Sequence, residues 1–89
     1  MNVVALQPAA AVKAADAHRA RVSRALLAYC KAASVSLRSL ARAARISYRM
    51  MILLRCRERD LSWRTAKRFE AVTSGALNAD ELMVGSRLA

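Results

Sequence analysis

The residue type in this chain that is best equipped to bind a ligand is arginine. The 89 residues include 16 lysines and arginines against 6 aspartates and glutamates, which gives a formal net charge of +10. Most of these cations are arginines, whose planar guanidinium groups suit bidentate contacts with phosphate and with guanine. A GC-rich genome would also explain arginine in place of lysine, but it does not explain the excess of positive charge. Nucleic acid is therefore the first partner to consider.

Other residue types that could do chemistry do not form a recognisable arrangement in the sequence. The one histidine, His18, has no cysteine or paired carboxylate at ligand spacing. Neither a glycine-rich phosphate loop nor a nucleophile motif occurs. Cys30 and Cys56 lack metal-ligand spacing, and we expect both to be reduced thiols, with Cys30 buried as a small apolar side chain. The sequence predicts a protein that is not an enzyme and that uses no cofactor or metal.

Two short helical segments with a narrow break between them lie at the centre of the chain. Ser36 can cap the first segment and Ser47 the second. The apolar residues that recur at helical spacing are Leu37, Leu40, Ala41 and Ala44 in the first segment and Met50, Met51 and Leu54 in the second. Ile46 breaks the helical phase, and the connection is so short that the helices must cross steeply. The pattern predicts a helix-turn-helix.

Three further helices are expected around this motif, and no strands, because glycine, proline and aromatic residues are few. The first should start near Asp16 and end near Ala33. The fourth should be capped by Ser62, with Trp63 as a lid on the core, and should end at Gly75. A short fifth helix should begin at Asn78. The stripes predicted to be buried are Val22, Leu26, Tyr29, Cys30 and Ala33 on the first helix, Thr65, Ala66, Phe69, Val72 and Thr73 on the fourth, and Leu82 and Met83 on the fifth.

These segments resemble, in order and spacing, the phage-repressor (Xre-like, Cro-type) helix-turn-helix family. The resemblance is carried by Leu40-Ala41, Ala44-Arg45-Ile46-Ser47, Met51 and Leu54, and then by residues 60–66, 69–73 and 77–82. It covers roughly residues 21–82 and implies an all-α, compact five-helix lambda-repressor-like DNA-binding domain. The chain departs from the family at Ser34, Arg45 and Arg57, which stand where the family often has glycine.

The third helix has two distinct sides when its residues are placed at 100° intervals. One side, formed by Ser47, Met50, Met51 and Leu54, should pack against the second helix. The other, formed by Tyr48, Arg49, Ile52, Leu53 and Cys56, should face outward. This outward side is unusually apolar for a surface that reads DNA. Either Ile52 and Leu53 meet thymine methyls and sugar edges, or protein covers part of the face in a dimer or complex.

The family resemblance also implies which residues would contact DNA. Base contacts map onto Ser47, Tyr48, Arg49, Ile52 and Leu53, and phosphate contacts onto Arg38, Arg55, Arg57, Arg59 and Arg64. The expected function is a sequence-specific transcriptional regulator, bacterial or phage, that binds double-stranded DNA as a homodimer. One alternative is a protein-interaction module that binds a protein partner through the apolar outward face. Another is nonspecific nucleic-acid binding through charge alone.

The expected organisation is a flexible arm at residues 1–15, a helix-turn-helix domain at 16–84 and a tail at 85–89. Residues 1–12 are apolar, but they lack a positively charged start and are too few to span a bilayer. We therefore expect neither a signal peptide nor a membrane helix, and a cytoplasmic location.

Overall fold

The fold of this chain is built from α-helices. The computed structural model describes the backbone of residues 9–84 and the side chains of residues 15–84. Within this part the helices are α1 (Ala9–Ala33), α2 (Leu37–Ala43), α3 (Tyr48–Arg55), α4 (Trp63–Val72) and α5 (Ala79–Met83), and there is no strand. The all-helical prediction is confirmed. No helix among these residues is long and apolar enough to cross a membrane.

Helix α1 starts at Ala9, so the predicted start near Asp16 is wrong. The residues between Pro8 and Asp16 are mostly alanine, which has the highest intrinsic helix propensity, and nothing in this stretch interrupts a helix. The helix therefore crosses the predicted boundary between arm and domain. The first eight residues of the predicted arm and the predicted tail at 85–89 lie outside the described residues.

One apolar core joins all five helices. Its members are Val22, Leu26, Cys30, Leu40, Ala41, Ala44, Met51, Leu54, Leu61, Ala66, Phe69, Leu77, Ala79, Leu82 and Met83. Most of the predicted stripes are confirmed, but Ala33 and Val72 are exposed. Ala33 is the last residue of α1. Val72 lies about 90° round α4 from the centre of the face formed by Ala66, Phe69 and Thr73, because each residue turns the helix by about 100°.

The predicted caps are present at the start of each short helix. Ser36 Oγ accepts a hydrogen bond from the backbone N–H of Ser39 at 3.0 Å, and Ser47 Oγ accepts one from Met50 at 3.0 Å. Ser62 does the same at the start of α4, and Asn78 at the start of α5. Each cap gives a partner to a backbone donor that the helix itself leaves unpaired.

The ends of the first four helices turn without glycine at the critical position. Ser34, Arg45, Arg57 and Ser74 have φ of 56°, 60°, 65° and 55°, in the left-handed region. At the end of α2, the N–H of Arg45 donates to Arg42 O at 3.2 Å and the N–H of Ile46 to Ala41 O at 3.0 Å. This pair of bonds is a Schellman motif. Ser34, Arg45 and Arg57 thus adopt a backbone conformation that glycine takes most easily.

We expect Arg45→Gly to raise the free energy of unfolding by about 0.5–1 kcal/mol, because glycine removes the steric cost of positive φ. Arg42→Gly is the matched control, since it removes the same side chain and charge within α2. That control should lower the free energy of unfolding by about 0.5–1 kcal/mol, as expected for glycine within a helix. Chemical denaturation of both variants makes the comparison. Destabilisation by Arg45→Gly equal to that of the control would contradict the turn geometry.

Helix α5 is held against α1 by polar contacts as well as by apolar packing. His18 is buried, and its Nε2 lies 2.6 Å from Leu82 O. Arg21 Nη2 donates to Val84 O at the end of the same helix. The buried hydroxyl of Thr73 accepts from the N–H of Leu77 at 3.0 Å and so shapes the connection from α4. The chain after α4 is therefore fixed to the same core as the helix-turn-helix.

Candidate nucleic-acid interface

The outward side of α3 is the surface that the sequence singled out. Met51 and Leu54 are 0% and 1% exposed, whereas Tyr48, Arg49 and Cys56 are exposed. The two sides predicted from helical periodicity are thus confirmed, except that Ser47, placed on the packing side, is exposed and serves as the cap. Ile52 and Leu53 are half-buried and do not belong to the core. The outward face therefore has an apolar strip beside Arg49.

Helix α3 is held in place by packing and by polar contacts from α1. It packs against α1 and α2. Ser23 of α1 donates its hydroxyl to Arg55 O, the last residue of α3, at 2.7 Å. Arg19 Nε donates to Asp60 Oδ1 in the following loop at 2.7 Å, and this hydrogen bond raises the pKa of the Arg19 guanidinium. These contacts fix both the helix and the loop that carries the predicted phosphate-binding arginines.

Arg38 and Tyr48, predicted separately to contact phosphate and a base, lie together. Arg38 Cζ is 4.1 Å from the centroid of the Tyr48 ring. A cation–π contact at an exposed site contributes about 0.5–1 kcal/mol. The guanidinium near the start of α2 is therefore held beside the first residue of α3.

The remaining predicted phosphate contacts lie at the other end of α3. Arg55 is its last residue, Arg57 and Arg59 are in the loop that follows, and Arg64 is in the first turn of α4. All four are exposed. No ion pair with a carboxylate involves any of them among the residues with described side chains. Their charges are available to a ligand in solvent.

Three exposed arginines that were not predicted as site residues lie on elements that meet near the start of α3. Arg42 lines a shallow depression together with Arg38, Ile46 and Tyr48. Arg68 of α4 donates Nη1 to Arg45 O, in the turn between α2 and α3, at 3.4 Å. We call Arg42, Arg45 and Arg68 the turn cluster. The four-residue spacing of Arg38 and Arg42 is visible in the sequence, but the approach of Arg68 is not.

Trp63 and Cys30 lie outside the outward face of α3. The prediction for Trp63 is wrong, and the prediction for Cys30 is confirmed. Trp63 is 46% exposed and is absent from the core, so the prediction that it covers the core is wrong. As the first residue of α4 it extends into solvent, with Lys67 Nζ 5.6 Å from its ring centroid. Cys30 is buried as predicted, and burial raises the pKa of its thiol.

Comparison with known proteins gives no match. No protein-family model, no curated protein and no solved structure matches this chain. The functional argument therefore depends on the residues and geometry of the chain itself.

Proposed function

We propose that this protein is a sequence-specific regulator of transcription that binds double-stranded DNA through a helix-turn-helix of the lambda-repressor type. The observation that carries the proposal is the outward face of α3, on which Arg49 is exposed, together with the exposed arginines near both ends of this helix. In this proposal α3 is the recognition helix, and the protein acts in a bacterial or phage-infected cytoplasm. No cofactor, metal or catalytic step is part of this function.

The dimensions and chemistry of α3 suit the major groove. An α-helix with its side chains is about 10–12 Å in diameter, and the major groove of B-DNA is about 12 Å wide. Arg49 can pair bidentately with guanine O6 and N7. Ile52 and Leu53 can contact thymine methyl groups, while Ser47 and Tyr48 complete the proposed base-reading set.

The proposed phosphate contacts are made by Arg38, Arg55, Arg57, Arg59 and Arg64. Contacts of this kind set the register and orientation of a protein on the duplex but carry little sequence information. We propose binding as a homodimer, because a single α3 reads few base pairs and a pair of symmetric half-sites would double the recognised sequence.

A protein-interaction module is the second candidate function. It is favoured by one observation, the partial exposure of the apolar residues Ile52 and Leu53 on the outward side of α3. On this alternative, a protein partner covers the apolar strip of α3, and the arginines remain in solvent or contact acidic residues of that partner.

Selection of bound fragments from a pool of random duplex DNA tests the proposed function. We expect repeated rounds to converge on a short motif with two symmetric halves. A matched selection with the Arg49→Ala variant should give a motif that is degenerate at one position in each half. If the protein binds the pool tightly but no sequence is enriched, binding is nonspecific and depends on charge. That result would contradict the proposal.

The salt dependence of binding provides an independent prediction. Each phosphate that is neutralised contributes about −0.9 to the slope of log K against log salt concentration, so contacts by five arginines would give a slope of about −4.5 per protomer. Titrations of a labelled duplex at several salt concentrations measure this slope. Affinity that does not change with salt would exclude DNA as the partner.

A further inference from the structure

The turn cluster consists of arginines on three elements that meet near the N-terminal end of α3. Arg42 is in the last turn of α2, Arg45 is in the connecting turn with φ of 60°, and Arg68 comes from the middle of α4. The hydrogen bond from Arg68 Nη1 to Arg45 O holds α4 beside the turn. Arg42 connects the cluster to Arg38 and Tyr48, with which it lines a shallow depression.

Within residues 15–84, no carboxylate forms an ion pair with an arginine of the turn cluster. The ion pairs among the residues with described side chains join Arg19 to Asp16 and Asp60, and Lys67 to Glu70. Even on α4, the carboxylate of Glu70 pairs with Lys67 and not with Arg68. Like charges four residues apart on a helix, such as Arg38 and Arg42, destabilise the helix. A bound anion would remove this repulsion.

The position of the turn cluster indicates which kind of anion would bind there. Arg55, Arg57 and Arg59 lie at the C-terminal end of α3, and the turn cluster lies at its N-terminal end. The two groups are thus separated by a helix about 12 Å long, which is close to the width of the major groove. Guanidinium groups suit phosphate oxygens, with which they form charge-assisted, often bidentate hydrogen bonds.

We infer that the turn cluster binds the phosphodiester backbone on the side of the major groove opposite to the strand contacted by Arg55, Arg57 and Arg59. This inference rests on the proposed function, because it requires α3 to lie in the groove. It adds Arg42, Arg45 and Arg68 to Arg38, the one phosphate contact that the sequence predicts near this end of α3. With both backbones held, rotation of α3 within the groove is restricted, and Arg49 is kept in register with one base pair.

The test compares two double variants that lose the same charge. Arg42→Gln/Arg68→Gln neutralises two residues of the turn cluster and leaves Arg45 in its positive-φ turn. Arg24→Gln/Lys31→Gln neutralises two exposed residues on α1. Glutamine keeps a helix propensity similar to that of lysine and arginine, so both variants should fold. Arg42→Lys/Arg68→Lys keeps both positive charges but removes both guanidinium groups. It therefore separates an effect of charge from an effect of the arginine side chains.

The first measurement is the salt slope of binding to a random-sequence duplex. For Arg42→Gln/Arg68→Gln we expect a slope less steep than that of the parent by about 1.8, since each lost phosphate contact contributes about 0.9. The α1 variant and the lysine variant should have the parent slope. If the parent binds with a steep slope and Arg42→Gln/Arg68→Gln has the same slope, the inference is overturned and the proposed function stands. If the parent does not bind duplex DNA, both the inference and the proposed function are overturned.

Phosphate ethylation interference locates the contact on the duplex. With the parent, ethylation should block binding at two groups of phosphates, one on each side of the groove that α3 enters. With Arg42→Gln/Arg68→Gln, ethylation should interfere less at one of these groups, since only Arg38 and Arg45 remain there, and should interfere as before at the other. Loss of neither group, together with binding of polyglutamate that requires Arg42 and Arg68, would assign the cluster to an acidic protein partner and overturn the inference.

Discussion

Replacing Phe69 with alanine is expected to lower the free energy of unfolding by about 3–5 kcal/mol. Phe69 is 0% exposed, and its side chain is the largest of the fully buried side chains among the described residues. Its removal would lose the transfer free energy of the ring and leave a cavity where α4 meets the rest of the core. Domains are typically stable by only about 5–15 kcal/mol, so this loss is a large fraction of the total.

Val72→Ala is the matched control for this prediction. Val72 is on the same helix, three residues after Phe69, and was assigned to the same buried stripe from the sequence. It is 39% exposed in the structure, so we expect its replacement to change the free energy of unfolding by less than about 0.5 kcal/mol. Urea denaturation of the two variants measures the difference. Similar losses for both would mean that α4 is rotated from its described position.

Under the proposed function, replacing Arg49 with alanine is expected to remove about 1–3 kcal/mol of discrimination at one base position in each half of the DNA site. Arg49 is exposed on the outward side of α3, and among the proposed base-reading residues it alone can pair bidentately with guanine. Affinities for a panel of single-base operator variants, compared between Arg49→Ala and the parent, give the discrimination at every position.

Arg59→Ala is the control, because it removes the same charge from the loop after α3. We expect it to weaken binding to all sequences about equally, as for a phosphate contact. If Arg49→Ala and the parent have identical selectivity profiles, α3 is not the recognition helix. The protein-interaction alternative predicts that result, and it also predicts that Ile52→Asp and Leu53→Asp abolish association with a protein partner.

The sequence alone predicted the features that depend on neighbouring residues. Ser36, Ser47, Ser62 and Asn78 cap helices in the structure, since a cap requires only a side-chain acceptor and the next three residues in helical conformation. The sequence also predicted that α3 buries Met51 and Leu54 and has an outward face. This division follows from a rotation of 100° per residue, which involves only residues of the same helix. The break between α2 and α3 was also predicted, because Ile46 interrupts the helical spacing of the apolar residues.

The tertiary structure decided what depends on the angles and distances between helices. Arg68 is 23 residues from Arg45 in the sequence, and only the packing of α4 beside the helix-turn-helix brings its guanidinium to the turn. The contact of Arg38 with Tyr48 likewise requires the crossing of α2 and α3. Residues at the edge of a helical stripe, such as Val72, are buried or exposed according to which neighbouring helix covers them. Periodicity gives the direction of a side chain from its own helix axis, but the position of the next helix is set by packing of the whole core.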